Sequence, residues 1–151
     1  MMTIDTDTDL RRYIIGAWIL ESYESLDLNG SHVGYPLGPD ARGIIMYTGN
    51  GYMSAQIMRS DRPQFHIGDL SAGNSEELAA AASGYLAYSG PYTVSKDVIC
   101  HHVEVSLLPN WIGGTQYRAA KIGDNHLQLG PTEPTLIDGQ PENARLVWRR
   151  P

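Results

Sequence analysis

Apolar and polar residues alternate with a period of two along most of the chain, the pattern of half-buried strands rather than of amphipathic helices. After Gly16-Ala17-Trp18, the run Ile19-Leu20-Glu21-Ser22-Tyr23-Glu24-Ser25-Leu26 predicts a long first strand. Asn29-Gly30 marks a turn, and residues 32–42, with two prolines and two glycines, read as a loop. Residues 43–48 and 52–59 flank Gly49-Asn50-Gly51, which predicts a tight hairpin.

The helical period surfaces in two places. Asp9 is placed to cap a short turn over residues 10–15. Asn74 or Ser75 is placed to cap a second helix, with Glu76 and Glu77 where the helix dipole favours carboxylates. Its apolar face continues through Tyr85, Leu86 and Tyr88 until Gly90-Pro91 stops it. Extended segments follow at 92–96, 98–107 and 115–122, the last two flanking the turn-rich Leu108-Pro109-Asn110-Trp111-Ile112-Gly113-Gly114. Two more strands are expected at 126–130 and 144–150. Eight mostly antiparallel strands with one inserted helix predict an all-β fold, an up-and-down barrel whose interior holds one small ligand.

Length and composition narrow the picture. A chain of 151 residues makes one domain with a core of its own, expected over 13–151 behind a flexible leader at 1–12. The net charge of −6 disfavours nucleic acid and anionic lipid as partners, and no apolar run approaches a membrane span. The polar, acidic N-terminus lacks the basic and apolar regions of a secretory signal, and the single Cys100 excludes an internal disulfide. Cytoplasmic residence is therefore the expectation; a homodimer is left open. Nine tyrosines and three tryptophans against one phenylalanine suit a cavity wall, where an apolar body carries a polar tip.

Several motifs together resemble the lipocalin-like domain family of small bacterial and fungal β-barrel proteins. They are Gly16-x-Trp18, Gly51-Tyr52-Met53-Ser54-Ala55, Gly90-x-Tyr92, His101-His102-Val103-Glu104, Pro109-Asn110-Trp111-x-Gly113 and Arg118. The resemblance implies that Trp18 closes one end of the barrel under an arginine from the last strand, Arg145 or Arg149. It also implies either a binding module or a cyclase or isomerase of natural-product biosynthesis.

The strand at 98–107 carries two faces. Ile99, His101, Val103, Val105 and Leu107 form the more apolar one, expected to face inward, with His101 as a proton donor or acceptor on an apolar wall. A neutral histidine bonded to a neighbour and serving only the fold explains the same residue. Glu104 and Arg118 fall nearly opposite each other if the hairpin turns around Trp111, as a cross-strand pair. A single bulge would turn His102, Glu104 and Arg118 inward instead. The candidate acid–base groups are thus His101, Tyr117, Arg118 and Glu104. The candidate ligand-binding residues are Tyr47, Tyr52, Met53, Met58, Tyr88, Trp111 and Trp148. The helix was expected to plug one end with Tyr85 and Tyr88 at the mouth.

No metal or cofactor is expected. His101 and His102 are adjacent in a strand and point to opposite faces, and no nucleophile elbow or phosphate-binding glycine loop occurs. The function these residues support is binding of a small hydrophobic molecule. The alternative is a cofactor-independent cyclase or isomerase acting on a polyketide- or terpenoid-like substrate.

Overall fold

The computed structural model describes residues 7–151. Helix α1 (Asp7–Ile14) leads into β1 (Gly16–Leu26), the short β2 (His32–Gly34), and the hairpin of β3 (Arg42–Tyr47) with β4 (Tyr52–Met58). Helix α2 (Ser75–Ser83) precedes β5 (Tyr85–Ser95), β6 (Val98–His102) and the two-residue β7 (Val105–Ser106). The chain ends with β8 (Thr115–Gly123), β9 (His126–Pro131), β10 (Thr135–Ile137) and β11 (Gln140–Arg149). Strands β1, β3, β4, β5, β6, β8, β9 and β11 pair antiparallel in that order, and β11 returns to β1, which closes an eight-stranded barrel. The remaining short strands extend it: β2 on β1, β7 on β5 and β10 on β11. Closure leaves the main ring without a free edge.

Period-2 alternation sets the interior. Trp18 faces Ile45, Ile45 faces Ala55, and Ala55 faces Tyr88, all buried. On the far side Leu20 faces Trp148, Trp148 faces Leu127, and Ala120 faces Leu129. Helix α1 shuts one end of this core: Leu10 and Ile14 are fully buried, and Trp18 Nε1–H donates to the Ile14 carbonyl at 2.8 Å. The arginine that packs on Trp18 is Arg150, 3.7 Å from the ring centroid, and it also donates to the carbonyls of Ile15 and Tyr13. Arg145 and Arg149 do not take that part. Arg145 is bonded to Glu24, and Arg149 lies exposed opposite His126. Only a residue just past the end of β11 can fold back over the closed end.

Four expectations change. Asp7–Ile14 form a helix, so Asp9 lies inside α1 rather than capping a turn over 10–15, and residues 1–6 of the expected leader lie outside the described part. Helix α2 stops at Ser83 with Gly84 as its cap, so Tyr85, Leu86 and Tyr88 belong to β5 and not to a helix. Its start is as expected. Asn74 accepts from the Glu77 amide while the Glu77 carboxylate accepts from the Asn74 amide, a reciprocal capping box. Nor does Gly90-Pro91 stop anything: both sit inside β5, opposite Met53 and Tyr52.

The fourth change decides the site. Residues 98–107 are not one strand. Tyr92 faces His101, but Ser89 faces Val105, so one extra residue is accommodated on the β6–β7 side. The bulge sits against Gly90, where a Cβ would lie 1.9 Å from the His102 carbonyl oxygen; only glycine admits that approach. Beyond it the parity inverts. Ile99, His101 and Val103 are buried as expected, whereas Val105 (61% exposed) and Leu107 face outward.

Candidate functional site

Inside the barrel, away from the end that α1 closes, lies a cavity of about 180 Å³. Ile45, Ala55, Ile57, Leu86, Leu129 and Leu146 make most of its wall apolar, and Tyr88, Trp111 and Trp148 add aromatic faces. Trp111, in the 3-10 turn Pro109–Trp111, stands edge-on to Tyr88 with centroids 5.3 Å apart. The polar groups reaching this wall include Tyr23, His101, Gln116, Arg118 and Glu142.

His101 is 1% exposed and bonded at both ring nitrogens. Tyr47 Oη lies 2.7 Å from Nε2 and Tyr88 Oη 2.8 Å from Nδ1. Burial, with the charge of Arg118 and then of His102 adding to it, lowers the His101 pKa to about 3. The ring is neutral at ordinary pH. Burial also raises the pKa of Tyr47, Tyr88 and Tyr23, opposed in each case by the Arg118 charge. Arg118 lies close enough to Tyr88 for its charge to favour the ionised phenol against burial. It donates to the Tyr117 carbonyl and to Gln116 Oε1, both at 3.2 Å. Among the described residues no carboxylate lies within ion-pair distance of it.

The predicted residues therefore divide. His101, Arg118, Tyr88, Trp111 and Trp148 come together at the cavity. Tyr47 sits behind the wall, where it holds His101; Met53 is buried without lining the cavity. Met58 borders a separate groove on the outer face of β1, β3 and β4, and Tyr52 is exposed. Tyr117 (52% exposed) is on the outer face of β8, because Arg118, opposite inward Ile99, takes the inner position. Glu104 is exposed at the bulge, its amide bonded to Ser89, and does not face Arg118. His102 is outside, between the Thr93 and Thr115 hydroxyls at 2.9 and 3.0 Å. Tyr85 also points outward, donating to Gln56 Oε1 beneath the Arg62 guanidinium.

Of the polar lining residues, Tyr23, Gln116, Thr135 and Glu142 escape the sequence reading. Gln116 follows from the register, since it faces His101 across β6 and β8. Tyr23 does not: strict alternation from Trp18 and Leu20 puts Ser22 inside. A register shift between Leu20 and Ser22 against β11 turns Tyr23 inward, opposite Leu146. Among the described residues no group of three or more His, Cys, Asp or Glu could hold a metal ion.

A closed antiparallel barrel with Trp18 at a helix-capped end and a lined cavity is matched by comparison. The family model for the lipocalin-like domain covers residues 15–151. The chain belongs to the lipocalin-like domain family. A relative of this lipocalin-like chain is the 4'-hydroxy-3'-methoxypropiophenone carrier protein ppsC of Aspergillus oryzae. The two are 42% identical over 106 residues, spanning 65% of this chain and 96% of the relative.

Proposed function

We propose that this barrel binds one small, largely apolar aromatic molecule carrying oxygen substituents. The observation that carries the reading is the cavity: about 180 Å³, mostly apolar, with Tyr88, His101 and Arg118 converging on one part of its wall. An apolar cavity of roughly 150 Å³ accommodates benzene, so this one suits a single ring with short substituents. Drug-sized pockets start at about 300 Å³, and a multi-ring polyketide asks for more space than this wall encloses. A carrier of an aryl ketone among the relatives agrees with that size and chemistry.

A second reading, a cofactor-independent isomerase or cyclase, is favoured by the convergence of His101 with Arg118 at an apolar wall. Against it, His101 has both nitrogens bonded and a pKa near 3, which makes it a poor proton shuttle at neutral pH. Binding is the better account. The test is titration of the protein with 4'-hydroxy-3'-methoxypropiophenone while tryptophan fluorescence is followed, since Trp111 and Trp148 line the site. Saturable binding at one site, with the ligand recovered unaltered, supports the proposal. Conversion to an isomer supports the second reading, and absence of saturable binding by this and other single-ring aryl ketones overturns the first.

A further inference from the structure

The Tyr47–His101–Tyr88 chain can be counted proton by proton. A neutral imidazole has one N–H donor and one acceptor nitrogen, and a phenol has one donor and two lone pairs. Tyr47 is buried to 1% exposure, and His101 Nε2 is the one hydrogen-bond partner its hydroxyl has among the described residues. If Nε2 carried the proton, the Tyr47 O–H would be left as a buried donor without an acceptor, at the full desolvation cost. The favoured arrangement has Tyr47 donating to Nε2, which puts the imidazole proton on Nδ1 and makes His101 donate to Tyr88 Oη. Arg118 is a donor only, so it cannot accept the Tyr88 proton. Tyr88 Oη then accepts from His101, its own O–H has no other hydrogen-bond partner among the described residues, and its ring lines the cavity.

Resting on the binding reading above, we infer that Tyr88 donates its hydroxyl proton to the ligand, and that the group it holds is a carbonyl oxygen conjugated to the ligand's aromatic ring. His101 is a positioning residue that fixes the direction of this donor from behind, and Tyr47 fixes the tautomer of His101. The Arg118 guanidinium, with no carboxylate among the described residues at ion-pair distance, adds positive potential where the carbonyl dipole is negative. Gln116 Oε1 receives Arg118 and forms no hydrogen bond with Tyr88. Glu142 borders the cavity but forms no hydrogen bond to Tyr88. Trp148 reinforces the excess of donors: its buried Nε1–H has no acceptor among the described residues.

Two measurements test this. The first is calorimetric titration with 4'-hydroxy-3'-methoxypropiophenone and with 2-methoxy-4-propylphenol, the same skeleton with a methylene in place of the carbonyl. The ketone is expected to bind about tenfold more tightly, the worth of one well-formed hydrogen bond. Tyr88→Phe should abolish that difference. Tyr47→Phe, behind the wall, should shrink the difference in wild type and have no effect on it in Tyr88→Phe. The second is the nitrogen-15 NMR shift pair of His101 in the wild-type protein, which reads the tautomer directly and needs no variant to fold. A protonated Nδ1 with a bare Nε2 is expected. Equal affinity for ketone and methylene compounds overturns this inference alone, as does a protonated Nε2. Failure of both compounds to bind overturns the binding reading, and the ligand assignment falls with it.

Discussion

Acid should weaken this protein well above the pH at which its carboxylates titrate, and His101 should be the cause. In the unfolded chain a histidine has a pKa of about 6.5; in the fold, burial and then the Arg118 and His102 charges hold His101 near 3. Above pH 6.5 the ring is neutral in both states and the stability of the fold is fully present. Below it the unfolded chain takes up a proton that the folded one refuses, so stability falls by up to about 1.4 kcal/mol per pH unit until the folded ring protonates. Between pH 8 and pH 5 the loss integrates to about 2 kcal/mol, a sizeable part of the roughly 5–15 kcal/mol that holds a domain together. That figure is insensitive to the folded value, because at pH 5 His101 is neutral whether its pKa is near 2 or near 4. Glu24, lowered by its bonds from Arg145 and His32, and Asp61 and Glu77, lowered by their own partners, have folded values below the ordinary carboxylate range. The stability they contribute is present above about pH 4.5 and is lost beneath that window. The assay is urea unfolding at pH 8, 7, 6 and 5 for wild type and for His101→Gln, which keeps an acceptor and a donor at that position. The wild type should lose about 2 kcal/mol more than the variant over this range. An equal loss in both refutes the reasoning. So does an NMR titration of the wild type in which His101 protonates between pH 8 and 5, and that measurement stands even if the variant does not fold.

Two further outcomes follow from packing. Trp18→Ala removes a fully buried ring that donates to Ile14 and carries Arg150 on its face, so it should cost about 3–5 kcal/mol in denaturant unfolding. A loss below about 1 kcal/mol would show that α1 and Arg150 close the barrel without it. Gly90→Ala puts a methyl group 1.9 Å from the His102 carbonyl oxygen, and should either unfold the protein or move the bulge. In the folded fraction, hydrogen exchange of the Glu104 amide, now bonded to Ser89, should accelerate; wild-type protection there would refute the close approach.

The barrel was legible in the chain before any contact was known. Alternation at period two, turn residues between the alternating runs and a total of eight such runs leave an antiparallel sheet of this size little choice but to close. Each of the eight main strands overlaps a run that the pattern marks, though β5 and β11 start earlier and β6 stops sooner than the pattern suggests. The capping box at Asn74 and Glu77 was equally legible, because caps act within a few residues. So was the inward side of β6, and with it His101, while Trp111 and Trp148 were singled out for their residue type. Everything past a register shift depended instead on how the strands pair. A strand's parity is a local count, and one extra residue inverts every side chain beyond it. The bulge at Gly90 therefore turned Val105 and Leu107 outward, and the shift after Leu20 brought Tyr23 in. Register across strands paired Arg118 with Ile99 and left Glu104 outside. The Tyr47–His101–Tyr88 chain joins β3, β6 and β5, strands up to 54 residues apart in sequence. No local pattern encodes that contact; it exists because the closed barrel leaves three buried polar groups only one another to bond.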